Sequence, residues 1–491
     1  MTLTDDVGAV LAAALEVYRG DTAHRLRGHL ERLHEPLRVA IAGKVKSGKS
    51  TLLNALVGDR IAQTDAGECT RIVTWYRDGA QPTIVLHPRR GTPVALPVRR
   101  RGGRLVVDLE GHPADRVEKL VVEWPSPRLR ATTLIDTPGM QSLSGDVARR
   151  SVTFLDPEDD TPSEADAVVY LMRHLHAADA RFLEAFRDQG VAKAASVNAV
   201  GVISRADEIG GGRSDAMSSA AAVARRYRGE PALRGLCQNV VAVAGLIAET
   251  ARTLRPDEFT AAAALAGVPP DRLDAALVTA DRFGSADGPL ATCDVPPDTR
   301  RAMLARFGVF GIRTAAALVR TGAVSDAPGL AAGLLQNSGL PELEFVLHQQ
   351  FVQRRDVLKA RSGLHALDGV LRAEPVPGAE RLAVEVERLL TGAHEFVELR
   401  LLGALRSGAV ALPAHLLPEA EQLLGAHGPE APVRLGLHPQ TDPAAVHAAA
   451  MTALGRWQSE AENPMSPRAA TDACRVVVRS CEGIVTALRA G

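Results

Sequence analysis

Residues 37–58 change from the apolar pattern of a strand to that of a helix. An uninterrupted apolar run at 39–42 predicts a buried strand. The segment that follows is polar, and its glycines Gly43 and Gly48 are separated by four residues. Apolar residues then recur at helical spacing, at Leu52, Leu53, Leu56 and Val57. The pattern therefore predicts a strand, a tight loop and a helix in direct succession.

Short apolar runs further along the chain predict additional strands, separated by turns or by helical patterns. They lie at 72–76, 83–87, 93–97, 105–109, 120–124, 132–135, 167–172, 199–204 and 240–244. Because strands that alternate with helices usually pair in parallel, we predict an α/β domain with a mostly parallel sheet and flanking helices.

Helical periodicity dominates both ends of the chain. Residues 5–34 carry apolar positions at helical spacing, with a break at Gly20. Beyond Glu249 the strand signal fades, and a last helix is predicted to begin at Ser466 with Pro467 in its first turn. We therefore predict an all-α part in addition to the α/β domain.

Composition narrows the possible functions only a little. A chain of 491 residues is too long to form a single hydrophobic core, and at ~150 residues per domain this length predicts about three domains. A net charge of −1 gives no overall attraction to nucleic acid, so no nucleic-acid partner is expected. Five cysteines, an odd number, argue against a disulfide framework. Without a signal-peptide pattern or an apolar run near about 18 residues, we expect a cytoplasmic protein whose membrane contact is at most peripheral.

The loop at 43–50 has the spacing of a P-loop. Its glycines let backbone N–H groups turn towards phosphate oxygens, and the helix N-terminus adds partial positive charge. We predict that Lys49 contacts the β/γ-phosphates and that the Ser50 hydroxyl ligates Mg²⁺. The nucleotide-binding residues predicted here are Gly43, Lys46, Ser47, Gly48, Lys49, Ser50 and Thr51. The alternative is a glycine-rich turn that binds no ligand.

A second motif, Asp136-Thr137-Pro138-Gly139, follows a predicted strand. We expect Asp136 to hold Mg²⁺ through water and the Gly139 N–H to meet the γ-phosphate, the alternative being an ordinary turn. Thr70 is predicted to complete the Mg²⁺ shell and to take part in catalysis, with Thr64 as the competing candidate. Methionine at position 140 cannot orient water, so catalysis must be arranged differently from that of small GTPases with glutamine there.

A third motif, Ser204-Arg205-Ala206-Asp207, follows the predicted strand at 199–204. An aspartate there accepts two hydrogen bonds from the N1–H and N2–H₂ edge of guanine, a pair that adenine cannot supply. We predict that Asp207 selects guanine and that Arg205 lies over the base. In the alternative, Asp207 only caps a helix and the chain is a P-loop ATPase.

Together these motifs resemble the dynamin superfamily of large GTPases. The runs that carry the resemblance are GKVKSGKSTLLNALVG, DTPGM, SRAD and GLPELEFVLHQQFVQRR. Four further runs are similar to the shorter member of the pair of actinobacterial isoniazid-inducible dynamin-like proteins. They are RIVTWYRDG, VEWP, SRADEIGGGR and RFGVFGIR. This resemblance extends from the first helix nearly to the C-terminus.

The resemblance implies a domain organisation and an activity. It implies an N-terminal neck helix at 1–35, a GTPase domain at 36–350 with a helical insertion at about 250–335, and a helical neck and stalk at 351–491. The C-terminal helix is expected to return to the neck. The implied activity is hydrolysis of GTP to GDP and phosphate with Mg²⁺, coupled to nucleotide-dependent dimerisation and peripheral membrane remodelling in the envelope response to drug stress.

The resemblance also implies partners and a location. GTPase domains would pair as a homodimer or as a heteromer with a sister dynamin-like protein, and the protein would associate with lipid at the inner face of the cell membrane. An alternative is a soluble GTPase switch that recruits a protein partner and never binds a membrane. Residues 408–418, with Leu412, Leu416 and Leu417, are either a lipid-contacting stalk tip or an ordinary connection between helices.

Two adjacent residues of the P-loop depart from the dynamin pattern. Dynamins carry Gln-Ser where this chain has Val45-Lys46. Lys46 matches the position where several relatives place a cis-acting arginine, so we expect it to assist catalysis together with Lys49 and Thr70. The alternative is a solvated lysine that only attracts phosphate.

Overall fold

The computed structural model describes residues 2–63, 72–138, 165–173, 198–234 and 236–490. Over these residues, one large sheet has the strand order β11-β10-β9-β1-β8-β2-β7-β3-β4. The sheet strands are β1 Leu37–Gly43, β2 Val73–Asp78, β3 Thr83–Pro88, β4 Val94–Leu96, β7 Val117–Trp124, β8 Thr132–Asp136, β9 Ala167–Met172, β10 Ala199–Ser204 and β11 Asn239–Val243. A separate hairpin consists of β5 Arg99–Arg101 and β6 Arg104–Val106.

The prediction of a mostly parallel sheet is confirmed. Strands β8, β1, β9, β10 and β11 pair in parallel, and so do β2 and β7. Strand β2 is antiparallel to β8, and β3 is antiparallel to β7 and β4. Since a short turn joins β3 to β4, these two strands can pair only in antiparallel fashion. The carboxyl ends of the five-strand parallel portion share one edge, where an α/β sheet usually places its ligand.

One predicted strand is wrong in its bounds and lies outside the large sheet. The run at 105–109 ends as a strand at Val106 and pairs with β5 instead of joining the large sheet. Gly102 and Gly103, at φ +58° and +78°, supply the left-handed turn that closes this hairpin.

Helices occupy most of the remaining described chain. They are α1 Leu3–Val17, α2 Gly20–Arg32, α3 Lys49–Val57, α4 Ala216–Arg228, α5 Pro231–Arg234, α6 Gly245–Arg252, α7 Pro256–Ala266, α8 Pro270–Ala276, α9 Ala280–Gly284, α10 Pro297–Arg320, α11 Ala327–Gln336, α12 Leu340–Gln350, α13 Arg355–Ala373, α14 Ala379–Gly392, α15 His394–Ser407, α16 Leu417–Leu423, α17 Ala431–Arg434, α18 Pro443–Ala461 and α19 Arg468–Ala490. The predicted break near Gly20 separates α1 from α2.

Helices α1 and α2 pack on α13 and α14, and their common core includes Val7, Leu11 and Leu364. Helix α19 instead packs on α15, α16 and α18 around Trp457 and Val477. Among the described residues, the first and last helices therefore lie in two different cores. Helix α15 connects the two cores, because Phe396 lies in the first and Leu402 in the second.

Helix α10 is long and apolar enough to cross a membrane by length and composition. In the structure it packs into the core formed by α6 to α11, where Met303, Phe307 and Phe310 are buried. Its backbone is interrupted at Gly308, which has φ +65° and ψ 178°. This interruption lies at the functional site described below.

The segment at 408–418 is a connection between α15 and α16. Leu416 is only 1% exposed, and Leu412 and Leu417 are partly buried against the core of α15, α16, α18 and α19. This burial fits the alternative in which the segment is an ordinary connection between helices, because its leucines pack on a helical core.

Candidate functional site

The loop between β1 and α3 has the backbone of a phosphate-binding loop. Gly43 has φ +147°, and a Cβ built on it would lie 2.6 Å from the Leu171 carbonyl oxygen of β9. Gly48 has φ +94° at the start of α3. Both positions thus require glycine, one because of close approach to a neighbouring strand and one because of its left-handed backbone.

Within this loop, Lys46 is the exceptional residue, since it adopts φ +62° without being glycine. Its side chain is exposed, and so is that of Val45. Ser47 is buried, and its hydroxyl oxygen has no hydrogen-bond partner among the described residues. The loop therefore presents Lys46 outwards and an unsatisfied hydroxyl inwards.

Lys49 lies almost buried beneath the loop, and its Nζ donates to the Gly43 carbonyl oxygen at 3.3 Å. Burial lowers the pKa of the Lys49 ammonium, while the nearby Asp136 carboxylate opposes this shift. An ammonium held in such a desolvated position interacts strongly with any phosphate oxygen that enters the loop.

Asp136, at the end of β8, lies beside Ser50, whose Oγ donates to its Oδ2 at 3.1 Å. Burial raises the pKa of the Asp136 carboxyl, and Lys49 and Ser50 partly offset that rise. The other carboxylate oxygen, Oδ1, is buried and has no hydrogen-bond partner among the described residues. A hydroxyl and a carboxylate with a free oxygen are hard donors of the kind Mg²⁺ prefers, so these two residues fit the ion.

Thr137 holds the end of β8 against β1, because its Oγ1 donates to the Ile41 carbonyl oxygen at 2.9 Å. Four residues named in the sequence analysis lie outside the described residues. Two belong to the rest of this motif, and two precede β2 in the chain. They are Thr64, Thr70, Gly139 and Met140.

A cavity of about 160 Å³ joins the P-loop to the third motif. Its lining includes Ser47, Gly48 and Thr51 on one side and Arg205 and Asp207 on the other. The structure thus brings together the predicted phosphate-binding residues and the predicted base-selecting residues at the carboxyl edge of the sheet.

Asp207 is 8% exposed, and burial raises the pKa of its carboxyl to about 6. Neighbouring Glu208 adds to this rise, and Arg205 opposes it. Asp207 lies inside the short 3₁₀ segment Ala206–Gly211, whose start has no side-chain cap hydrogen bond. This geometry gives no support to the alternative in which Asp207 caps a helix.

The other two polar residues of the third motif have local partners. Arg205, at φ +52°, pairs with Glu208 at 2.8 Å, and Ser204 Oγ donates to the Met172 carbonyl oxygen at 3.3 Å. Ser204 therefore ties β10 to β9, which is a structural contact that the motif alone did not predict.

Sequence reasoning missed three residues of the base-side wall. Gly245 and Leu246 line the cavity, and a Cβ built on Gly308 would lie 3.5 Å from Asp207 Oδ2. The dipeptide Ala244-Gly245 after a predicted strand was a weak signal for the first two. Gly308 is distant in sequence and reaches Asp207 only because helix α10 is interrupted there, so no local signal could have placed it.

The fold and the site define a P-loop nucleotide-binding protein, and the model of the Dynamin family matches residues 39–91. That match spans β1, the P-loop, α3 and the strands β2 and β3. The P-loop motif and the family match thus lie in the same part of the chain.

Similarity to named relatives extends much further. The chain is 44% identical over 494 aligned residues to isoniazid-induced protein IniC of Mycobacterium tuberculosis, covering 99% of both chains. The chain therefore belongs to the dynamin family and is a dynamin-like protein close to IniC. Isoniazid-induced protein IniA of the same species is 35% identical over 131 residues, covering 26% of this chain and 20% of IniA. A solved chain of an oligomerised bacterial dynamin pair aligns with TM-score 0.38 and 12% identity, covering 99% of this chain and 74% of that one.

Proposed function

We propose that this protein hydrolyses GTP to GDP and phosphate. The observation that carries the proposal is the continuous cavity from the P-loop to Asp207, with Ser50 and Asp136 in hydrogen-bond contact beside it. Lys49 would bind the β/γ-phosphates, Ser50 and Asp136 would hold Mg²⁺, and Asp207 would accept the guanine N–H groups. Bound Mg²⁺ would neutralise charge on the phosphates. Thr70 and Gly139 retain their sequence-predicted roles.

We further propose that GTPase domains pair in the nucleotide-bound state, as a homodimer or with a sister chain. Support comes from Lys46 and Val45, which are exposed on the P-loop. An exposed cation at this position can contact only the phosphates bound in its own loop. The apposed surface of a second GTPase domain would hold the cation in place. The family resemblance adds peripheral membrane remodelling at the inner face of the cell membrane, in a drug-stress response of the envelope.

The test is GTP hydrolysis per molecule over a wide range of protein concentration, with ATP as the control nucleotide. We expect the protein to hydrolyse GTP but not ATP, at a rate per molecule that rises with protein concentration. Lys49→Ala should abolish hydrolysis, and Asp207→Asn should shift preference towards xanthosine triphosphate. Equal turnover of ATP and GTP would contradict guanine selection, and turnover unaffected by Lys49→Ala would contradict the P-loop site.

A second candidate is a soluble GTPase switch that recruits a protein partner. Burial of Leu416 and partial burial of Leu412 and Leu417 favour it, because packing on the helical core reduces the apolar surface left for lipid. Flotation with anionic phosphatidylglycerol liposomes separates the two candidates. A remodelling protein is expected to float and to hydrolyse GTP faster on liposomes, whereas a soluble switch stays at the bottom of the gradient.

A further inference from the structure

A cavity of about 620 Å³ lies between helices α2 and α13 and the face of strands β2, β3 and β7. It shares no lining residue with the nucleotide cavity. Its lining carries Arg25, Arg32, Arg38, Arg77 and Lys119, against the acidic side chains Glu31 and Glu35. We call this cavity the basic groove.

The strand register gathers its cations on one face of the sheet. Trp75 pairs with Val121, so Trp75 and Arg77 on β2 point to the same side as Lys119 and Val121 on β7. Arg38, from the start of β1, and the arginines of α2 complete the groove from its other walls. The positive charge therefore comes from elements far apart in sequence that converge only in the fold.

Trp75 forms part of the floor and makes an unusual set of contacts. The Arg38 Cζ lies 4.7 Å from its ring centroid and the Lys119 Nζ lies 4.6 Å from it. Trp75 is 7% exposed, and its indole N–H has no acceptor among the described residues. Because an indole nitrogen can only donate, this buried group is available to an oxygen acceptor, either of an anion or of a water molecule.

The arginines of the groove have acidic partners that differ in exposure, and Arg77 pairs with the partly exposed Glu123 at 2.7 Å. Arg38 pairs with Glu35 at 2.8 Å and Arg25 with Glu374 at 2.6 Å, and both acids are more than 40% exposed. The Arg25–Glu374 pair is exposed on both sides and contributes little to stability, whereas the Arg38 side chain is only 14% exposed and lies against Trp75. Arg32 differs, because it contacts the fully buried Asp166 at 3.4 Å, so its role is structural.

His29, which also lines the groove, reports the local field. Burial, together with Arg32, Arg38 and Arg25, lowers the pKa of its imidazole to about 4, while Asp166 opposes this shift. Burial is the larger cause, and the three guanidinium groups add a positive potential that an anion in the groove would relieve.

We propose that the basic groove binds a phosphate-bearing anion between α2, α13 and the sheet. Arginine recognises phosphate through two parallel N–H donors, and a cluster of cations favours a multiply charged phosphate over a single carboxylate. Stacking on Trp75 already orders Arg38 and Lys119, which reduces the entropy that binding must overcome. The proposed site is independent of the GTPase function proposed above.

The test uses inorganic pyrophosphate as the probe, titrated calorimetrically into the full chain in metal-free buffer. The wild-type protein should bind at two sites, the P-loop and the basic groove. Lys49→Ala should leave the groove site, and adding Arg38→Gln or Lys119→Gln to that variant should weaken it by at least roughly tenfold, the scale of one charge-assisted contact. Trp75→Phe, which keeps the ring and removes the N–H, should weaken it less.

The matched control is Arg101→Gln, an exposed arginine of the β5–β6 hairpin outside the groove. It removes the same charge and should leave pyrophosphate binding unchanged. Thermal melting checks that each variant folds, and Arg38→Lys should restore part of the affinity. Absence of binding in Lys49→Ala, or an equal loss in the Arg101→Gln control, would overturn the proposal. Failure of the nucleotide site alone would leave the groove site intact.

The same variants identify the source of the phosphate. Flotation with phosphatidylcholine vesicles is compared with and without phosphatidic acid, whose headgroup is a phosphate monoester. Flotation that requires phosphatidic acid and is lost in Arg38→Gln identifies a lipid headgroup. Pyrophosphate binding without Arg38-dependent flotation identifies a soluble phosphate compound.

Discussion

At Asp207, a buried carboxylate is held ready for a ligand at an energetic cost. Its pKa is raised to about 6 from the ordinary value of 3.8. The group therefore favours folding fully below pH 3.8, and this contribution is lost as the pH rises through about 6. The full difference is about 3 kcal/mol. The N–H donors of guanine would stabilise the ionised carboxylate and so offset part of this free-energy cost.

We expect GDP affinity to fall as the pH decreases below about 6, because protonated Asp207 cannot accept both guanine hydrogen bonds. The decrease should approach roughly tenfold per pH unit. Calorimetry between pH 5 and 7.5, a range of about one to two units around the midpoint, would measure it. The control is Asp207→Asn, whose side chain does not titrate. This variant should bind GDP weakly, with an affinity that does not fall below pH 6. A wild-type profile parallel to that of Asp207→Asn would contradict the prediction.

Lys46 combines an exposed charge with a left-handed backbone, and substitutions can separate the two. Lys46→Gly should raise thermal stability by about 1 kcal/mol relative to Lys46→Ala, because glycine adopts φ +62° without strain. If the charge assists hydrolysis, both variants should lose turnover equally, whereas Lys46→Arg should retain it. Unchanged, concentration-dependent turnover in both neutral variants would remove Lys46 from the mechanism.

Among the elements, α3 does more than position the P-loop lysine. Asn54 is 1% exposed and holds the chain that follows the helix: its Oδ1 accepts from the N–H groups of Ile61 at 3.0 Å and Ala62 at 2.7 Å. Its Nδ2 donates to the Ala62 carbonyl oxygen at 3.2 Å. The C-terminal part of the helix is thereby fixed to the chain at Ile61 and Ala62.

Asn54→Ala should cost about 2–4 kcal/mol of unfolding free energy, because it leaves buried backbone groups without partners. Urea unfolding followed by circular dichroism would measure this loss. Asn337→Ala is a suitable control, since the Asn337 amide also donates to a backbone carbonyl but is exposed. A similar small loss in both variants would show that the Asn54 contacts are dispensable.

Sequence patterns predict helices, strands and loops well where residues close together in the chain determine them. Alternation of strands and helices predicts the mostly parallel sheet, and glycine spacing predicts the loop that requires Gly43 and Gly48. Contacts between distant segments carry no such signal. Gly308 reaches Asp207 through an interrupted helix, and Trp75 meets Arg38 and Lys119 through strand register. Both depend on tertiary packing that no sequence window contains.

Over the whole molecule, the helical C-terminal part docks back onto the end of α12. Gln350 Nε2 donates to the Ala426 carbonyl oxygen at 2.7 Å, and the buried Arg354 donates to that of Gly425. Arg234, from the α/β domain, pairs with Glu421 of α16. Because Arg354 is only 5% exposed, this contact depends on close packing as well as charge.

Gly425→Ala should separate these two parts of the chain. A Cβ there would lie 2.5 Å from Arg354 Nη2, and the backbone is left-handed at φ +81°. Gly378 has a similar φ of +90° with nothing within 4 Å of an added Cβ, so Gly378→Ala measures the backbone cost alone. We expect Gly378→Ala to lose about 1 kcal/mol. Gly425→Ala should lose distinctly more and show a larger radius of gyration by small-angle scattering. Equal losses with unchanged scattering would mean that Arg354 simply moves aside, and that the docking of the helical part does not rest on this contact.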